Sequence, residues 1–419
     1  MQELLERWNP WWADKSVPKK LIGIKREKYL DELYNQSKQK RISIITGPKR
    51  AGKTTLLYQV IDSLISTGIN PNSILFVHLD HPAIGHDIGE IIREFRKINK
   101  LDSKVFLYVF LDEAQYIKNW AQWAKAIHDS EEIKLFISGS TTALLEKDAY
   151  ASLTGRWRKN LVWPLDFSEF LKFRDIQISG ADRYLELSYL HDYLKSGGFP
   201  EAVLEESDLV RSRLLVDLFE DMVFKDAART KNFRDIHSLR QIAIFMASVI
   251  GKPVSINKMR NTFKISSEAV SNYIDALCGA YLFFPCSFYS KSINERTYNP
   301  KKYYIIDPGM ARAVLGTENI GAAVENILAI HYHKKDDIWY WKSDAELDFI
   351  LGDAQAAVES KFKTDIDQRS LRGGLKFSKK LKLKTLYVAT EDFQSTQKIN
   401  DINVIFIPVT NILLRAEGP

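Results

Sequence analysis

The stretch that decides the fold reads Gly47-Pro48-Lys49-Arg50-Ala51-Gly52-Lys53-Thr54. It fits the pattern Gly-x-x-x-x-Gly-Lys-Ser/Thr, in which a glycine-rich loop holds phosphate groups. A short apolar run, Ile42–Thr46, comes directly before it, and a helical pattern over Thr54–Thr67 follows. Strand, loop and helix are the context that the pattern requires, so a chance glycine-rich loop is a poor alternative.

The loop predicts a site for ATP and Mg²⁺. Glycines let backbone N–H groups turn toward phosphates, and the dipole at a helix N-terminus favours negative charge there. We expect Lys53 to reach the β- and γ-phosphates and the Thr54 hydroxyl to ligate Mg²⁺. The candidate ATP-binding residues are Gly47, Pro48, Lys49, Arg50, Ala51, Gly52, Lys53, Thr54 and Thr55.

A second element predicts the same chemistry independently. The apolar strand pattern Val105–Leu111 ends in the carboxylates Asp112 and Glu113. At the end of a buried parallel strand beside the loop, Asp112 would hold Mg²⁺, commonly through its waters. Glu113 would polarise the water that attacks the γ-phosphate. Together the two elements predict ATP binding and hydrolysis.

Two further residues are candidates for roles in hydrolysis. Ser140 follows the next predicted strand and would position the attacking water or sense the γ-phosphate; the alternative is an ordinary serine at a strand end. Arg156 is a candidate arginine finger, acting in cis or from a neighbouring subunit. Its alternative is an arginine on the surface or in a structural ion pair, and Arg158 nearby leaves that choice open.

Composition restricts the class of protein without naming it. The chain has 419 residues, a formal net charge of +6 and two cysteines. Two cysteines cannot build a disulfide framework or a zinc site of cysteines, which favours a reducing, cytoplasmic setting. The N-terminus lacks the pattern of a signal peptide, and no apolar run approaches the roughly 20 residues of a membrane span. We therefore expect a soluble cytoplasmic protein.

From Ile42 onward, short apolar runs alternate with helical patterns, which predicts a parallel sheet covered on both faces. The other predicted strands in this part are Ile74–Leu79, Val105–Leu111 and Lys134–Ser138, and the other helices are Ile88–Ile98 and Trp120–His128. The first 40 residues predict an extended arm rich in Trp and Pro, followed by a helix over residues 26–38. Residues 166–235 predict amphipathic helices without a strand.

These residues resemble the AAA-type ATPases of archaea and bacteria that carry a C-terminal domain of uncharacterised function. The matching stretches follow one another in family order over nearly the whole chain. They are Asn9–Trp12, Ile45–Thr55, Phe110–Gln115 with Trp120, Ser138–Ser140, Thr154–Arg156, Pro164–Leu171 and Gly197–Glu201.

The resemblance implies an α/β fold that begins with a P-loop NTPase parallel sheet and a helical lid. A winged-helix domain and a restriction-endonuclease-like α/β domain would follow. The domains expected are residues 1–165 for the AAA+ core with its N-terminal arm, 166–235 for the lid, 236–315 for the winged helix and 316–419 for the nuclease-like domain. AAA+ proteins often form rings, so a homo-oligomer is a possible assembly.

The winged-helix pattern consists of two helices, a turn and a hairpin rich in Tyr and Phe. The second helix would run over Ser267–Leu277, and its groove-facing residues would be Ser267, Glu268, Ser271 and Asn272. That face carries no Lys or Arg, which makes base reading a poor prediction. The wing carries more positive charge, at Lys291, Arg296, Lys301 and Lys302. Winged helices also bind proteins, so a protein partner stays open beside DNA.

The last module contains an Asp followed by Glu-x-Lys, the metal-site pattern of restriction-type nucleases. Asp348, Glu359 and Lys361 would form this second metal site, with Glu325 joining them. A surface hairpin that alternates acid and base is the alternative, and we favour a nuclease-like fold over cleavage. Residues 356–384 hold nine Lys or Arg against three Asp or Glu, either a phosphate-binding strip or a solvated helix face.

The sequence thus predicts Mg²⁺-dependent ATP binding and hydrolysis, coupled to binding or remodelling of DNA, with branched DNA among the candidate targets. One alternative is a nucleotide-driven signalling switch that binds a protein partner. Another is an ATP-regulated, metal-dependent DNA nuclease.

Overall fold

The structure is a computed structural model that describes residues 1–85, 87–140, 151–178, 182–228, 233 and 235–419. The chain divides into two compact units, Met1–Trp163 and Pro164–Pro419, and each is described by itself. Within the described residues, none of the helices combines the length and the apolar character that crossing a bilayer demands. Labels below number the described helices and strands in chain order.

The first unit is built on a sheet of five parallel strands in the order β2-β3-β4-β1-β5. The strands are β1 (Ile42–Thr46), β2 (Ile74–His78), β3 (Leu107–Asp112), β4 (Ile133–Gly139) and β5 (Trp157–Leu161). β1 is buried along its whole length, which fits a strand covered on both faces. The predicted α/β class with a parallel sheet is confirmed.

Helices surround this sheet and connect its strands. They are α1 (Gln2–Trp8), α2 (Trp11–Asp14), α3 (Lys19–Ile22), α4 (Glu27–Ser37), α5 (Lys53–Ser66), α6 (Ile88–Ile98) and α7 (Trp120–Ser130). The helix that follows the phosphate loop, α5, buries most of its length, including Leu56, Leu57, Val60 and Ile61. The carboxyl ends of β1, β3 and β4 therefore meet at one edge of the sheet, where the predicted site residues follow.

Two features of this unit differ from the sequence prediction. The first 25 residues form three short helices instead of an extended arm, because Leu5, Trp11 and Trp12 are buried. Strand β5 was not predicted, since its polar run at residues 158–160 lacks the apolar pattern of the other strands. β5 is an edge strand that pairs only with β1, and most of its residues are exposed or half-buried. Polar side chains are tolerated in such a strand.

The second unit begins with helices, as the sequence predicts. They are α8 (Phe167–Phe173), α9 (Arg183–Ser196), α10 (Pro200–Leu204) and α11 (Asp208–Asp221), after which a π-helical segment runs over Met222–Ala227. The later helices are α12 (Ile236–Ser248), α13 (Ile256–Phe263), α14 (Ser267–Gly279), α15 (Ile293–Tyr298), α16 (Pro308–Leu315), α17 (Ile320–His333), α18 (Arg372–Leu381) and α19 (Val409–Arg415).

A mixed sheet of nine strands follows, in the order β13-β14-β12-β11-β10-β9-β7-β8-β6. The strands are β6 (Pro253–Val254), β7 (Phe283–Phe288), β8 (Lys301–Ile305), β9 (Ile338–Lys342), β10 (Glu346–Leu351), β11 (Ala356–Ser360), β12 (Thr385–Thr390), β13 (Ser395–Ile399) and β14 (Ile402–Pro408). Because β7 pairs with β9, the hairpin of the proposed winged helix continues the sheet of the proposed nuclease-like domain. The division into four domains stays a prediction.

The helix–turn–helix lies where the sequence places it. Ser266 caps α14 by accepting a hydrogen bond from the Ala269 N–H at 3.0 Å. Val270, Ile274 and Leu277 form the buried face of α14. The wing differs from the prediction, because the helix α15 lies between its strands β7 and β8.

Candidate active site

The phosphate loop has a backbone that only glycine tolerates at its first position. Gly47 has φ +144°, and a Cβ there would lie 2.2 Å from the Val162 carbonyl oxygen. Gly52, directly before α5, has φ +91°. These conformations turn the loop back over the start of α5, where unpaired backbone N–H groups favour anions.

Lys53 lies folded against the loop that it follows. Its Nζ donates to the carbonyl oxygens of Gly47 at 3.0 Å and Pro48 at 2.9 Å, and the residue is 5 % exposed. The ammonium is thus held inside the loop, at the place where the sequence predicts phosphate.

Thr54 and Asp112 are brought together although they lie on different elements. The Thr54 hydroxyl donates to Asp112 Oδ2 at 2.9 Å. Burial raises the pKa of Asp112, but hydrogen bonds from His78, Ser138 and Thr54 outweigh burial and hold that pKa below its ordinary value. A hydroxyl beside an ionised carboxylate offers the hard oxygen ligands that Mg²⁺ prefers, so the donor set fits this ion.

Glu113 follows β3 in a left-handed conformation, with φ +57°. Strain of this kind in a residue other than glycine persists only where the surroundings impose it. The Glu113 N–H donates to Ser138 Oγ at 3.2 Å, and the Gln115 amide bonds the Glu113 carboxylate. The same amide donates to Ser140 Oγ at 3.3 Å, which links the predicted residue Ser140 to Glu113.

Arg156 lies away from the phosphate loop of its own chain. Its carbonyl accepts from the Ile42 N–H at 2.8 Å, at the amino end of β1, and the loop begins at the carboxyl end of that strand. A strand of this length spans about 16 Å. The guanidinium bonds Asp129 at 2.8 Å. Within one chain the structure does not bring Arg156 to the phosphate loop, and its role as an arginine finger, in cis or from a neighbouring subunit, stays a prediction.

Three residues near the loop were not singled out from the sequence. His78 Nδ1 lies 3.3 Å from Asp112 Oδ2, and Ser138 Oγ donates to Asp112 Oδ1. Arg26, 4 % exposed, donates to the Ala51 carbonyl at 3.0 Å and thereby fixes the backbone of the phosphate loop. His78 lies beside Asp112 through the register of two strands that are not contiguous in the sequence, and a sequence pattern does not show this register. Ser138 could have been found from the sequence, because it is a polar residue at a strand end.

In the second unit, the structure brings Asp348, Glu359 and Lys361 together. Lys361 Nζ lies 2.7 Å from Glu359 Oε2 and 3.5 Å from Asp348 Oδ2. Burial, and next the charge of Asp348, raise the pKa of Glu359 to about 8. Burial also raises the pKa of Asp348, but Lys302 and Lys361 outweigh burial and lower it.

Lys302 shares one carboxylate, Asp348, with this group. From the sequence, Lys302 is expected in the charged wing. Its side chain is 0 % exposed, and its Nζ lies 3.2 Å from Glu325, 2.7 Å from Glu346 and 3.5 Å from Asp348. The prediction of a wing cation is therefore wrong for Lys302. Within the described ranges, no three His, Cys, Asp or Glu side chains are grouped in a way that would hold a metal ion.

A basic groove of about 1200 Å³ lies between α18 and the turn that joins β13 to β14. Its cationic lining residues are Arg369, Arg372, Lys376, Lys379, Lys382 and Lys384. Arg372 and Lys376 bond Asp344. The other four have no carboxylate partner in the described part of the chain. The lining acid Asp401 bonds Lys398, so positive charge dominates the groove.

Comparison with known proteins finds family matches for two parts of the chain. Residues 39–171 match a family described as an AAA domain, and residues 187–320 match a domain of unknown function. An uncharacterised protein of Haemophilus influenzae is 27% identical over 398 residues, covering 92% of this chain and 97% of that protein. An uncharacterised protein of Methanocaldococcus jannaschii is 27% identical over 326 residues, covering 74% and 72%.

Among solved structures, a Walker-type ATPase of Pyrococcus abyssi is similar with a TM-score of 0.45 and 16% sequence identity, covering 70% of this chain and 96% of that one. The match of residues 39–171 confirms the resemblance for the phosphate-loop part of the chain.

Proposed function

We propose that the chain hydrolyses ATP with Mg²⁺ and couples this reaction to a nucleic-acid partner, and the match of residues 39–171 to the AAA-domain family supports the first part. The observation that carries the first part is the contact between Thr54 and Asp112 at 2.9 Å, together with the ammonium of Lys53 held against the phosphate loop. Loop, hydroxyl and carboxylate come from three elements and meet at one edge of the parallel sheet.

Each of these groups has a definite task in this proposal. Phosphate oxygens replace the Gly47 and Pro48 carbonyls as partners of Lys53, since a phosphate carries the charge that an ammonium prefers. Thr54 and Asp112 would hold Mg²⁺, which neutralises charge that develops on the transferred phosphoryl group. Glu113 orients the attacking water and accepts its proton, and the Gln115–Ser140 contact holds the Glu113 carboxylate in place.

The partner is proposed from the basic groove. Arg369, Lys379, Lys382 and Lys384 are exposed on one wall and its adjoining turns, and no acid among the described residues neutralises them. A row of cations in a groove suits the regular negative charge of a phosphodiester backbone. The side of α14 that would face a DNA groove in a winged helix lacks Lys and Arg. We therefore assign contact to the phosphodiester backbone of the nucleic acid and not to its base edges.

The first experiment measures steady-state ATP hydrolysis without DNA and with single-stranded, duplex and four-way-junction DNA. We expect at least one DNA form to raise turnover, and Glu113→Gln to lower turnover by roughly 10²–10³-fold while ATP still binds. Full activity in Glu113→Gln would refute its role. Turnover that no DNA form changes would refute the nucleic-acid partner.

A second experiment tests the groove itself. Replacing Arg369, Lys379, Lys382 and Lys384 with Ala should reduce the slope of log affinity against log salt by about 3 to 4, since each phosphate contact contributes about 0.9. The matched control replaces four exposed lysines of the first unit, Lys100, Lys104, Lys118 and Lys125. An equal loss in both quadruple variants would show that only total charge matters and would remove the groove from the proposal.

One observation favours a second candidate function, a nucleotide-driven switch that binds a protein. One side of α14 presents the exposed Glu268 and the half-buried residues Ser267, Ser271 and Asn272, and these side chains suit hydrogen bonding to a protein better than contact with phosphates. Slow turnover that is indifferent to DNA would favour this function over the first.

A further inference from the structure

Lys302 carries a charge in a place where a free ammonium would be strongly unfavourable. Its side chain is 0 % exposed, on the central strand of a three-stranded part of the sheet. Its backbone is held on both sides, opposite Cys286 of β7 and Pro253 of β6. The burial is compensated mainly by three carboxylates, which lie within 3.5 Å of Nζ, and the centroid of the Tyr340 ring lies 5.4 Å from Nζ as a further contact.

These carboxylates come from two elements and lie around Lys302 Nζ. Glu325 lies on α17, and Glu346 and Asp348 lie on β10. Oxygens from several directions around one cation are also what a divalent metal ion requires, at about 2.0 to 2.6 Å instead of the longer distances to an ammonium. The cluster therefore offers the oxygen ligands that a metal ion uses, but at the longer distances that suit an ammonium, and with Lys302 in place its side chains are not grouped to hold a metal ion.

Other oxygens in and beside the cluster also accept hydrogen bonds. Asp348 Oδ2 accepts from the Ser360 N–H at 2.9 Å, and Glu359 Oε1 accepts from the Gly374 N–H at 2.8 Å. Lys361 bonds Glu359 Oε2 at 2.7 Å. A cation that entered this cluster would have to displace a lysine to reach its ligands.

We propose that Lys302 is a built-in counter-ion that takes the place of a divalent cation among Glu325, Glu346 and Asp348, so that the native cluster is closed to metal. Replacing the lysine by an uncharged side chain turns the same carboxylates into a metal site. This inference is independent of the proposed ATPase mechanism and of the proposed DNA partner. It follows that the native chain does not cleave DNA through this cluster.

The experiment compares Lys302→Met with the unmodified residue, both in an Asp112→Ala background that removes the predicted metal ligand of the ATP site. Free Mn²⁺ is measured by electron paramagnetic resonance during titration of the full chain. We expect one additional Mn²⁺ site per chain in Lys302→Met. Adding Asp348→Ala to that variant should weaken this site by at least roughly tenfold.

A matched control is available in the first unit. Lys134 is also buried, but its Nζ bonds the Arg41 carbonyl and Ser43 Oγ, the latter at 3.0 Å, and not a carboxylate. Lys134→Met should therefore gain no Mn²⁺ site. A gain in Lys134→Met equal to that in Lys302→Met, or no gain in Lys302→Met, would overturn the proposal.

Two measurements cover the case in which Lys302→Met folds poorly. Mn²⁺ should raise the melting temperature of Lys302→Met above its value without metal, because a ligand that binds only the folded state stabilises it. On the protein with Lys302 intact, Asp348→Ala should leave Mn²⁺ binding unchanged. Mn²⁺ binding that Asp348→Ala weakens, or Mg²⁺-dependent DNA nicking that Glu359→Ala abolishes, would overturn the proposal without any Lys302 variant.

Discussion

Two buried lysines illustrate how surroundings decide what a charged residue does. Lys302 is surrounded by carboxylates, and although burial lowers its pKa, Glu325, Asp348 and Glu346 outweigh burial and raise it. Lys134 on β4 has a carbonyl and a hydroxyl as hydrogen-bond acceptors, and burial lowers its pKa to about 7. Carboxylates therefore favour the charged form of the first lysine, whereas burial without a carboxylate favours the neutral form of the second.

Lys134 predicts a pH dependence of the first unit's stability. Its pKa falls from 10.5 in the unfolded chain to about 7 in the fold. Between these values the unfolded chain binds the extra proton, so the free energy of unfolding should rise as pH increases from about 7 to about 10. Lys134→Met should flatten this rise, as measured by urea unfolding at several pH values. An equally steep rise in the variant would contradict the assignment.

His78 is a positioning residue in the ATP site. It is one of three side chains that donate to Asp112. Replacing it with Ala should raise the Mg²⁺ concentration for half-maximal ATP hydrolysis about fivefold, corresponding to about 1 kcal/mol for one lost hydrogen bond. The rate at saturating Mg²⁺ should change less. Tyr58→Phe is the control. The Tyr58 hydroxyl lies 3.4 Å from His78 Nε2 and makes no hydrogen bond to Asp112 among the described residues. An unchanged Mg²⁺ requirement in His78→Ala would contradict this role.

At the scale of elements, the N-terminal helices protect the free edge of the parallel sheet. β2 is an outer strand, and its exposed backbone would otherwise be open to pairing with another chain. The Asn9 side chain replaces a neighbouring strand there: its amide donates to the Phe76 carbonyl at 2.9 Å and accepts from the Phe76 N–H at 2.6 Å. Trp12 adds a bond to the Ile74 carbonyl at 2.8 Å.

This edge contact predicts a large effect from a small change. Asn9→Ala should lower the free energy of unfolding by about 2–3 kcal/mol, because it leaves buried backbone groups of Phe76 without partners. Gln2→Ala is the matched control, since Gln2 bonds only the exposed Glu6 carboxylate and should shift stability by less than about 0.5 kcal/mol. Chemical denaturation of both variants measures the difference. Equal free energies of unfolding would show that Asn9 does not stabilise the β2 edge of the sheet.

At the scale of the whole molecule, the proposed coupling of ATP to nucleic acid must act in both directions. If bound DNA changes the affinity for a non-hydrolysable ATP analogue by some factor, the analogue must change the affinity for DNA by the same factor. Fluorescence titrations of each ligand with and without the other measure both factors. We expect a coupling of about 1–3 kcal/mol, or about 5- to 150-fold.

The groove variant separates coupling from binding. Replacing Arg369, Lys379, Lys382 and Lys384 should abolish the effect of DNA on the analogue while leaving the affinity for the analogue alone unchanged, because these residues lie in the second unit. A factor of one in both directions for the unmodified chain would mean that nucleotide and DNA act independently, and the coupling proposal would fail.

The sequence alone determined those features that depend on neighbours along the chain. The phosphate loop, the carboxylates Asp112 and Glu113, the central strands and the α/β class follow from local spacing, because a continuous apolar run between helices has few alternatives to a buried parallel strand. For the same reason the predicted bounds of β1 and α6 agree with the structure.

Only the tertiary structure decided which distant residues meet. His78 lies beside Asp112 through strand register, Arg156 lies at the opposite end of β1 from the phosphate loop, and Lys302 is surrounded by carboxylates instead of solvent. Sequence patterns count charges but do not show their partners. The free energy of a buried charge depends on groups that are distant in the chain, so the role of such a residue is settled only when the sheet is assembled.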